Sequence, residues 1–183
     1  MRIIAGTYRG TRLAEVGAGD AAAHLRPTSD RVRESLFSML THLDVIHNAR
    51  VLDLFAGTGA LALEALSRGA AEALLVENGG AAQKLISANI QKVSAQKQAK
   101  LLRSDATALA PWPGPAFDLV FLDPPYGKGM GQRALGAARV GGWLLPSATI
   151  VWEESAPMDA PEGFTRTDKR KFGDTHLTLL RHE

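Results

Sequence analysis

The sequence predicts an α/β fold, an open sandwich on a mostly parallel sheet that ends in an antiparallel hairpin. Three observations predict it. From Arg50 onward, short apolar runs of strand character alternate with helical spacing, the grammar of right-handed β-α-β crossovers. The first such run empties into a glycine-rich turn that opens a helix. The last two runs are separated only by Phe172-Gly173-Asp174, too short for a crossover and right for a hairpin.

Along the chain, residues 2–14 set short apolar pairs between Gly and Arg. Gly6-Thr7-Tyr8-Arg9-Gly10 reads as the turn of a small basic β-hairpin. Residues 15–25 are Gly/Ala-rich and patternless, a loop. Pro27-Thr28-Ser29-Asp30 then precedes Val32, Leu36, Met39, Leu40 and Leu43, so a helix starts with Ser29 or Asp30 at its cap. Val51-Leu52-Asp53-Leu54-Phe55 is a strand covered on both faces, broken only by Asp53. Residues 61–66 are the helix after the glycine turn, 73–77 the next strand and 81–93 the next helix. Further strands are read at 100–103, 117–122 and 149–153, with a helix over 132–139 between the last two. The closing hairpin pairs 164–171 with 175–181. The organisation is thus a basic N-terminal extension, residues 1–25, before one domain, residues 26–183.

Composition narrows the function classes. A chain of 183 residues buries a full core without staples. At 45% hydrophobic and 22% charged residues, disorder is excluded. Cys is absent, which removes disulfides, thiolate metal sites and Cys nucleophiles. The five His residues show no metal-binding spacing, so no metal is expected. No apolar run reaches the roughly 18 residues that span a bilayer, and no signal peptide precedes Arg9. A cytoplasmic protein with no membrane partner is expected. Net charge is only +2, but Arg2, Arg9, Arg12, Arg26, Arg31 and Arg33 crowd the first 33 residues, and Lys169-Arg170-Lys171 form a second cluster. Clustered Arg neutralises and forks onto phosphates, whereas on its own it reads as a solvated face.

The turn Gly57-Thr58-Gly59 leaves a strand and enters a helix, so backbone N–H groups face any ligand there. Glu77 ends the next strand, near the offset of about 20 residues at which an acidic side chain takes ribose hydroxyls. Ala62 stands where the third glycine of a dinucleotide turn falls; NAD is not excluded by that alone. Asp53 says more. A carboxylate at the end of the first strand repels a pyrophosphate and suits a cationic ligand, such as the amino group and sulfonium of S-adenosylmethionine. Asp105, after the third strand, is placed to accept from an adenine amino group. The bland alternative is a tight βα turn with Asp53 capping it.

The strand 117–122 stops at Asp123-Pro124-Pro125-Tyr126. Two prolines cannot continue a central strand, and they leave the Pro124 carbonyl free on a stiff loop. A carboxylate, a carbonyl and an aromatic plate at the carboxyl end of a strand suit methylation of an amino group on a planar ring. Such a nitrogen is a poor nucleophile. Asp123 and the Pro124 carbonyl would accept its two N–H bonds and stabilise the charge that develops. Tyr126 would stack on the base.

These residues carry a family resemblance. Asp123–Tyr126 with the Asp53…Gly59 turn resembles class I S-adenosylmethionine-dependent amino-methyltransferases. Met1-Arg2-Ile3-Ile4-Ala5-Gly6, Arg26-Pro27-Thr28, Arg31-Val32-Arg33-Glu34-Ser35-Leu36-Phe37 and the Leu52–Gly59 run are similar to the bacterial 16S ribosomal RNA guanine-N2 methyltransferases of the guanine-966 type. The resemblance spans nearly the whole chain. It implies a seven-stranded Rossmann-like sheet with a reversed final hairpin, a monomer acting on 16S ribosomal RNA of the small subunit. It implies S-adenosylmethionine held by Asp53, Phe55, Gly57, Thr58, Gly59, Glu77, Asp105 and Asp123, and catalysis by Asp123, Pro124 and Tyr126. The small hairpin with Arg2, Arg9 and Arg12 would help hold RNA, and Arg26, Thr28, Arg31 and Arg33 would line the RNA entrance or close over the cofactor. One departure is Asn78-Gly79-Gly80, where charged, helix-favouring residues are expected.

Rival readings keep the same acceptor logic or discard it. A DNA adenine-N6 or protein glutamine-N5 methyltransferase shares it, but no target-recognition domain is visible in 183 residues. A non-catalytic RNA-binding assembly factor would not need Asp123 and Tyr126. Trp112, Trp143 and Trp152 read as packing residues rather than stacking platforms.

Overall fold

The computed structural model describes residues 1–15 and 29–183. Helix α1 spans Asp30–His42, and the Ser29 hydroxyl oxygen caps it by accepting the Val32 amide at 3.3 Å. Seven strands follow: β1 (Arg50–Leu54), β2 (Glu72–Glu77), β3 (Ala99–Arg103), β4 (Phe117–Leu122), β5 (Leu144–Glu154), β6 (Phe164–Phe172) and β7 (Thr175–His182). Helices α2 (Ala60–Ser67), α3 (Gly80–Lys92) and α4 (Met130–Val140) fill the crossovers, and a 3₁₀ turn (Ala106–Ala108) follows β3. The sheet order is β3-β2-β1-β4-β5-β7-β6. Strands β1 to β5 run parallel; β7 inserts antiparallel between β5 and β6. All five parallel strands therefore discharge their loops at one border.

Side-chain alternation divides the core into two layers. Val51, Leu75, Phe121 and Val151 pack with α1, α2, α3 and the N-terminal segment. Leu52, Leu54, Leu122 and Trp152 pack with α4. Asp53 and Glu153 belong by alternation to the first layer, Glu154 to the second. Trp112 and Trp143 stack at 4.5 Å, and Trp152 is fully buried, so all three indoles pack inside the fold. Among the described residues no helix is long and apolar enough to cross a membrane, and no His/Asp/Glu group could hold a metal.

Strand β5 begins at Leu144, five residues earlier than the pattern predicts, because its first stretch passes through Pro146 and Ser147. The register to β4 jumps from Phe117↔Leu144 to Leu119↔Thr149, and Ser147 takes φ +65°. An irregularity of this kind is how a strand tolerates a proline.

The N-terminal hairpin is reduced to one bridge, Arg2↔Arg12, flanked by backbone bonds from Ile3 to Thr11 and from Leu13 to Met1. Ile3 and Leu13 are buried in the first layer. The hairpin docks on α2: the Ile4 and Ala5 amides donate to the buried Glu64 carboxylate at 2.8 and 3.1 Å, and the Tyr8 amide donates to the Ser67 hydroxyl at 2.9 Å. Gly6 is required at this dock. It takes φ +80°, and a Cβ there would lie 1.7 Å from the Ser67 carbonyl oxygen. Gly6→Ala is expected to lower stability by about 2–4 kcal/mol. Chemical denaturation checks this; a change under about 1 kcal/mol would mean the hairpin yields freely.

Candidate functional site

The carboxyl border of the parallel strands gathers most of the residues singled out in the sequence. β1 ends at Leu54, and Phe55 turns the chain at φ +63°. Gly57 and Gly59 follow at φ +57° and +78°, and Gly59 caps α2. A Cβ on Gly59 would stand 2.8 Å from Leu75 on β2, so glycine also lets helix and strand approach. The Thr58 carbonyl accepts from the side-chain amide of Asn89 at 2.9 Å.

Asp53 is 2% exposed, and its Oδ2 accepts the Ala62 amide at 3.2 Å. Burial pushes its carboxyl up to about 7; the Ala62 amide lowers it in part, and the Glu77 charge adds to the rise. No ion pair holds Asp53 among the described residues. Glu77 grips two turns at once. Its Oε2 accepts the Gly57 amide at 3.0 Å and its Oε1 the Gly79 amide at 2.8 Å. A Cβ on Gly79 would stand 3.2 Å from that same Oε1 and crowd it, whereas nothing lies within 4 Å of a Cβ on Gly80. Asp105 is exposed after β3 and caps the 3₁₀ turn, with Oδ1 accepting the Thr107 amide and hydroxyl at 2.8 Å each. These bonds hold its carboxyl below the ordinary range. Because β1, β2 and β3 are neighbours, Asp53, Glu77 and Asp105 follow one another along the border.

On the other side of β1, β4 delivers Asp123-Pro124-Pro125-Tyr126. The Asp123 amide reaches the Leu54 carbonyl at 3.4 Å, which ties this exit to the start of the glycine turn. Asp123 is half-buried, Pro124 buried, Pro125 exposed and Tyr126 half-buried. Burial, then the charges of Glu153, Asp53 and Glu154, hold the Asp123 carboxyl well above the usual carboxylate range. The Tyr126 hydroxyl donates to Glu153 Oε1 at 2.8 Å. Burial, then the charges of Glu153 and Asp123, raise the phenol's pKa as well, and a hydrogen bond with the Thr175 side chain lowers it in part.

The basic residues divide. Arg2 and Arg12 are exposed and bridged to each other across the hairpin. The Arg2 side chain lies 3.7 Å from Asp30, and exposed Arg31 follows in the first turn of α1, so these three arginines share one neighbourhood. Arg9 sits in the hairpin turn, beside Tyr8, whose hydroxyl reaches Gln98 ahead of β3; this is the amino border of the sheet. Arg26 and Thr28 lie outside the described residues. Arg33 requires a correction. It does not line an entrance, for it is 0% exposed. Its Nη2 donates to the Arg2 carbonyl at 2.7 Å and to Asp30 at 2.6 Å, and Nη1 lies 3.8 Å from the Glu64 carboxylate. The guanidinium bolts hairpin, α1 and α2 together.

Four further residues shape the site and were not singled out from sequence. Glu153 and Glu154 end β5 beside the Asp-Pro-Pro-Tyr loop, at 5% and 6% exposure. Asn89, fully buried on α3, bonds Ala14 through its carbonyl and its amide, and joins it to Thr58. Glu64 is the hub described above. The signal available for the two carboxylates was their place: an apolar strand that ends in paired acids at the ligand-binding border.

The model of a family described as Conserved hypothetical protein 95 matches residues 1–181. A relative from Haemophilus influenzae, Ribosomal RNA small subunit methyltransferase D, is 34% identical over 187 residues, covering 100% of this chain and 94% of the relative. The protein of the same name from Escherichia coli is 38% identical over 161 residues, covering 88% and 78%. Among solved structures, a putative methyltransferase, yhhF, from Escherichia coli superposes with a TM-score of 0.85 at 36% identity, over 100% of this chain and 98% of that one.

Proposed function

The chain belongs to the Conserved hypothetical protein 95 family, and on that footing we propose that it methylates small-subunit ribosomal RNA in the cytoplasm. The donor in this reading is S-adenosylmethionine, and the acceptor is the exocyclic N2 amine of a guanine in 16S ribosomal RNA, of the guanine-966 type. The observation that carries it is the meeting of a buried Asp53, with no ion pair among the described residues, and the Asp123–Tyr126 exit at one border of the sheet.

The donor set fits the cofactor. Asp53 is a buried carboxylate whose charge is unfavourable as it stands, and a cationic ligand relieves that cost. Glu77 is held at the border by two backbone amides, facing where ribose hydroxyls bind in this architecture. Phe55, Gly57, Thr58 and Gly59 supply the close backbone approach, and Asp105 an acceptor for the adenine amine. When bound, S-adenosylmethionine supplies a methyl group on a sulfonium, an electrophile that needs no metal.

The chain's own residues then handle the acceptor. The Asp123 carboxylate and the Pro124 carbonyl accept the two N–H bonds of the guanine amine. This turns its lone pair out of conjugation and offsets the positive charge that grows on nitrogen. Tyr126 stacks on the base and fixes its plane. No strong base is needed, because the arylammonium cation formed as the methyl group leaves sulfur for nitrogen is acidic enough to lose its proton to water. In a stem, the base must first leave the stack.

Labelled-methyl transfer to small subunits lacking the modification, followed by nucleoside mass analysis, tests the reading. The expected product is N2-methylguanosine. N6-methyladenine in DNA or N5-methylglutamine in protein would instead establish the sister chemistry, and RNA binding without transfer a non-catalytic assembly factor. Arg12 and Arg31 have no ion pair among the described residues. Arg12→Ala with Arg31→Ala is expected to lower the slope of log affinity against log salt by about 2. An unchanged slope would place the RNA elsewhere.

A further inference from the structure

The acceptor loop has little backbone to hold it. Pro124 and Pro125 have no N–H to give, and the Asp123 amide makes only a 3.4 Å bond to Leu54. Two consecutive side chains of β5 supply the hold. Glu153 Oε1 accepts the Tyr126 hydroxyl at 2.8 Å, and both oxygens of Glu154 accept the Gly127 amide, at 3.2 and 3.3 Å. Successive residues of a strand face opposite sides of its sheet, so the two carboxylates take the loop from both faces. Glu154 is itself fixed, because its Oε1 also accepts the amide and hydroxyl of Ser155 at 2.9 and 3.0 Å.

Two buried acids beside Asp123 and Asp53 are a poor choice for stability. Apolar residues of like volume in a central strand are usually as good or better than buried charge, and the rest of β5 from Ile150 to Trp152 is apolar. Stacking on a base needs the aromatic ring alone. The phenol oxygen of Tyr126, turned to a buried carboxylate while the ring stays half-exposed, has a different use: it sets the angle of the plate.

We infer that Glu153 and Glu154 are positioning residues, which fix the Asp-Pro-Pro-Tyr loop from both faces of the sheet, Glu153 through the Tyr126 hydroxyl and Glu154 through the Gly127 amide. The inference rests on the proposed reading only where it takes this loop as the seat of the acceptor base.

The test compares Tyr126→Phe, Glu153→Ala, the double variant and Glu153→Gln. Each single truncation breaks the same bond. Each is expected to lower kcat roughly 10- to 100-fold, with KM for ribosomal RNA and cofactor affinity by calorimetry nearly unchanged. The double variant is expected to be no worse than either single one. Glu153→Gln keeps a carbonyl acceptor and is expected to restore most of kcat. The melting temperature of each variant is measured alongside, which separates a loss of kcat from a loss of fold. A second readout needs no substrate. The chain has two tyrosines, Tyr8 and Tyr126, so ring-labelled protein gives two phenol ¹³Cζ resonances, and the Tyr126 signal should move in Glu153→Ala and return toward its position in Glu153→Gln.

Multiplying effects in the double variant, or losses of kcat that merely follow a fall in melting temperature, would overturn the inference. So would a Tyr126 resonance indifferent to Glu153, even with wild-type transfer to guanine intact. A moved resonance in a protein that transfers no methyl group to ribosomal RNA would leave the anchor standing and remove the proposed substrate.

Discussion

Asp123→Ala should lower methyl transfer by about 10³-fold while calorimetry finds cofactor affinity within a few-fold of wild type. The carboxylate is asked to accept from the amine as charge develops on nitrogen, an interaction that strengthens only in the transition state, so the loss falls on kcat. Asp123→Asn keeps one acceptor oxygen and should lose less. The pH profile gives a separate handle. Burial and the charges of Glu153, Asp53 and Glu154 keep the Asp123 carboxyl above its ordinary range. A protonated Asp123 donates where it must accept, so activity falls as pH is lowered. That fall begins well above the pH at which an exposed carboxylate titrates. Measured at saturating cofactor, the acidic limb should sit in kcat and vanish in Asp123→Asn. A kcat indifferent to both substitutions would remove the acceptor role.

Asp53→Asn should make the ligand-free protein more stable and its cofactor site worse. In the unfolded chain this carboxyl titrates near 3.8, in the fold near 7. Between those values the folded state holds a proton that the unfolded state has lost, so stability declines as pH rises from about 4 through 7. The decline is complete above the folded value and amounts to about 4 kcal/mol at most. Asparagine keeps the oxygen that accepts the Ala62 amide and never ionises. The variant should therefore melt higher at pH 8, show a flatter stability profile between pH 4 and 8, and bind S-adenosylmethionine at least about tenfold more weakly. Denaturation at several pH values with calorimetry on the same samples checks both halves. Equal melting curves at pH 8 would show that the carboxylate is already compensated.

Most of the architecture could be read from the chain because its signals are local. Apolar runs with a single acid, such as Val51–Phe55, announce buried strands, and Phe172-Gly173-Asp174 leaves no room for anything but a hairpin. The boundaries of β1 to β4 fall within a residue of expectation. The reversed end followed from that short connection, and the resemblance implied the same seven-stranded sheet. Other features depend on which residues meet. Glu153 and Glu154 look like the polar exit of a strand until β4 is laid beside β5. The proline inside β5 kept its first five residues out of the strand expected over 149–153. Arg33 was legible and misread. It stands at the head of the series 33, 36, 37, 40, the buried stripe of α1, so an arginine there had to face inward. Its membership in an arginine-rich segment outweighed its phase.

The docking of the first residues onto α2 has a consequence for how the chain is made. Ile4 and Tyr8 find their partners 60 and 59 positions downstream, and Ala14 finds Asn89 75 positions downstream. On a translating ribosome the leading segment emerges long before the groups that receive it. It must wait, unpaired, until the α2 and α3 stretches clear the exit tunnel. The earlier-made partner is thus seated late, and a pause in translation between those points would prolong the nascent chain's exposure to proteases.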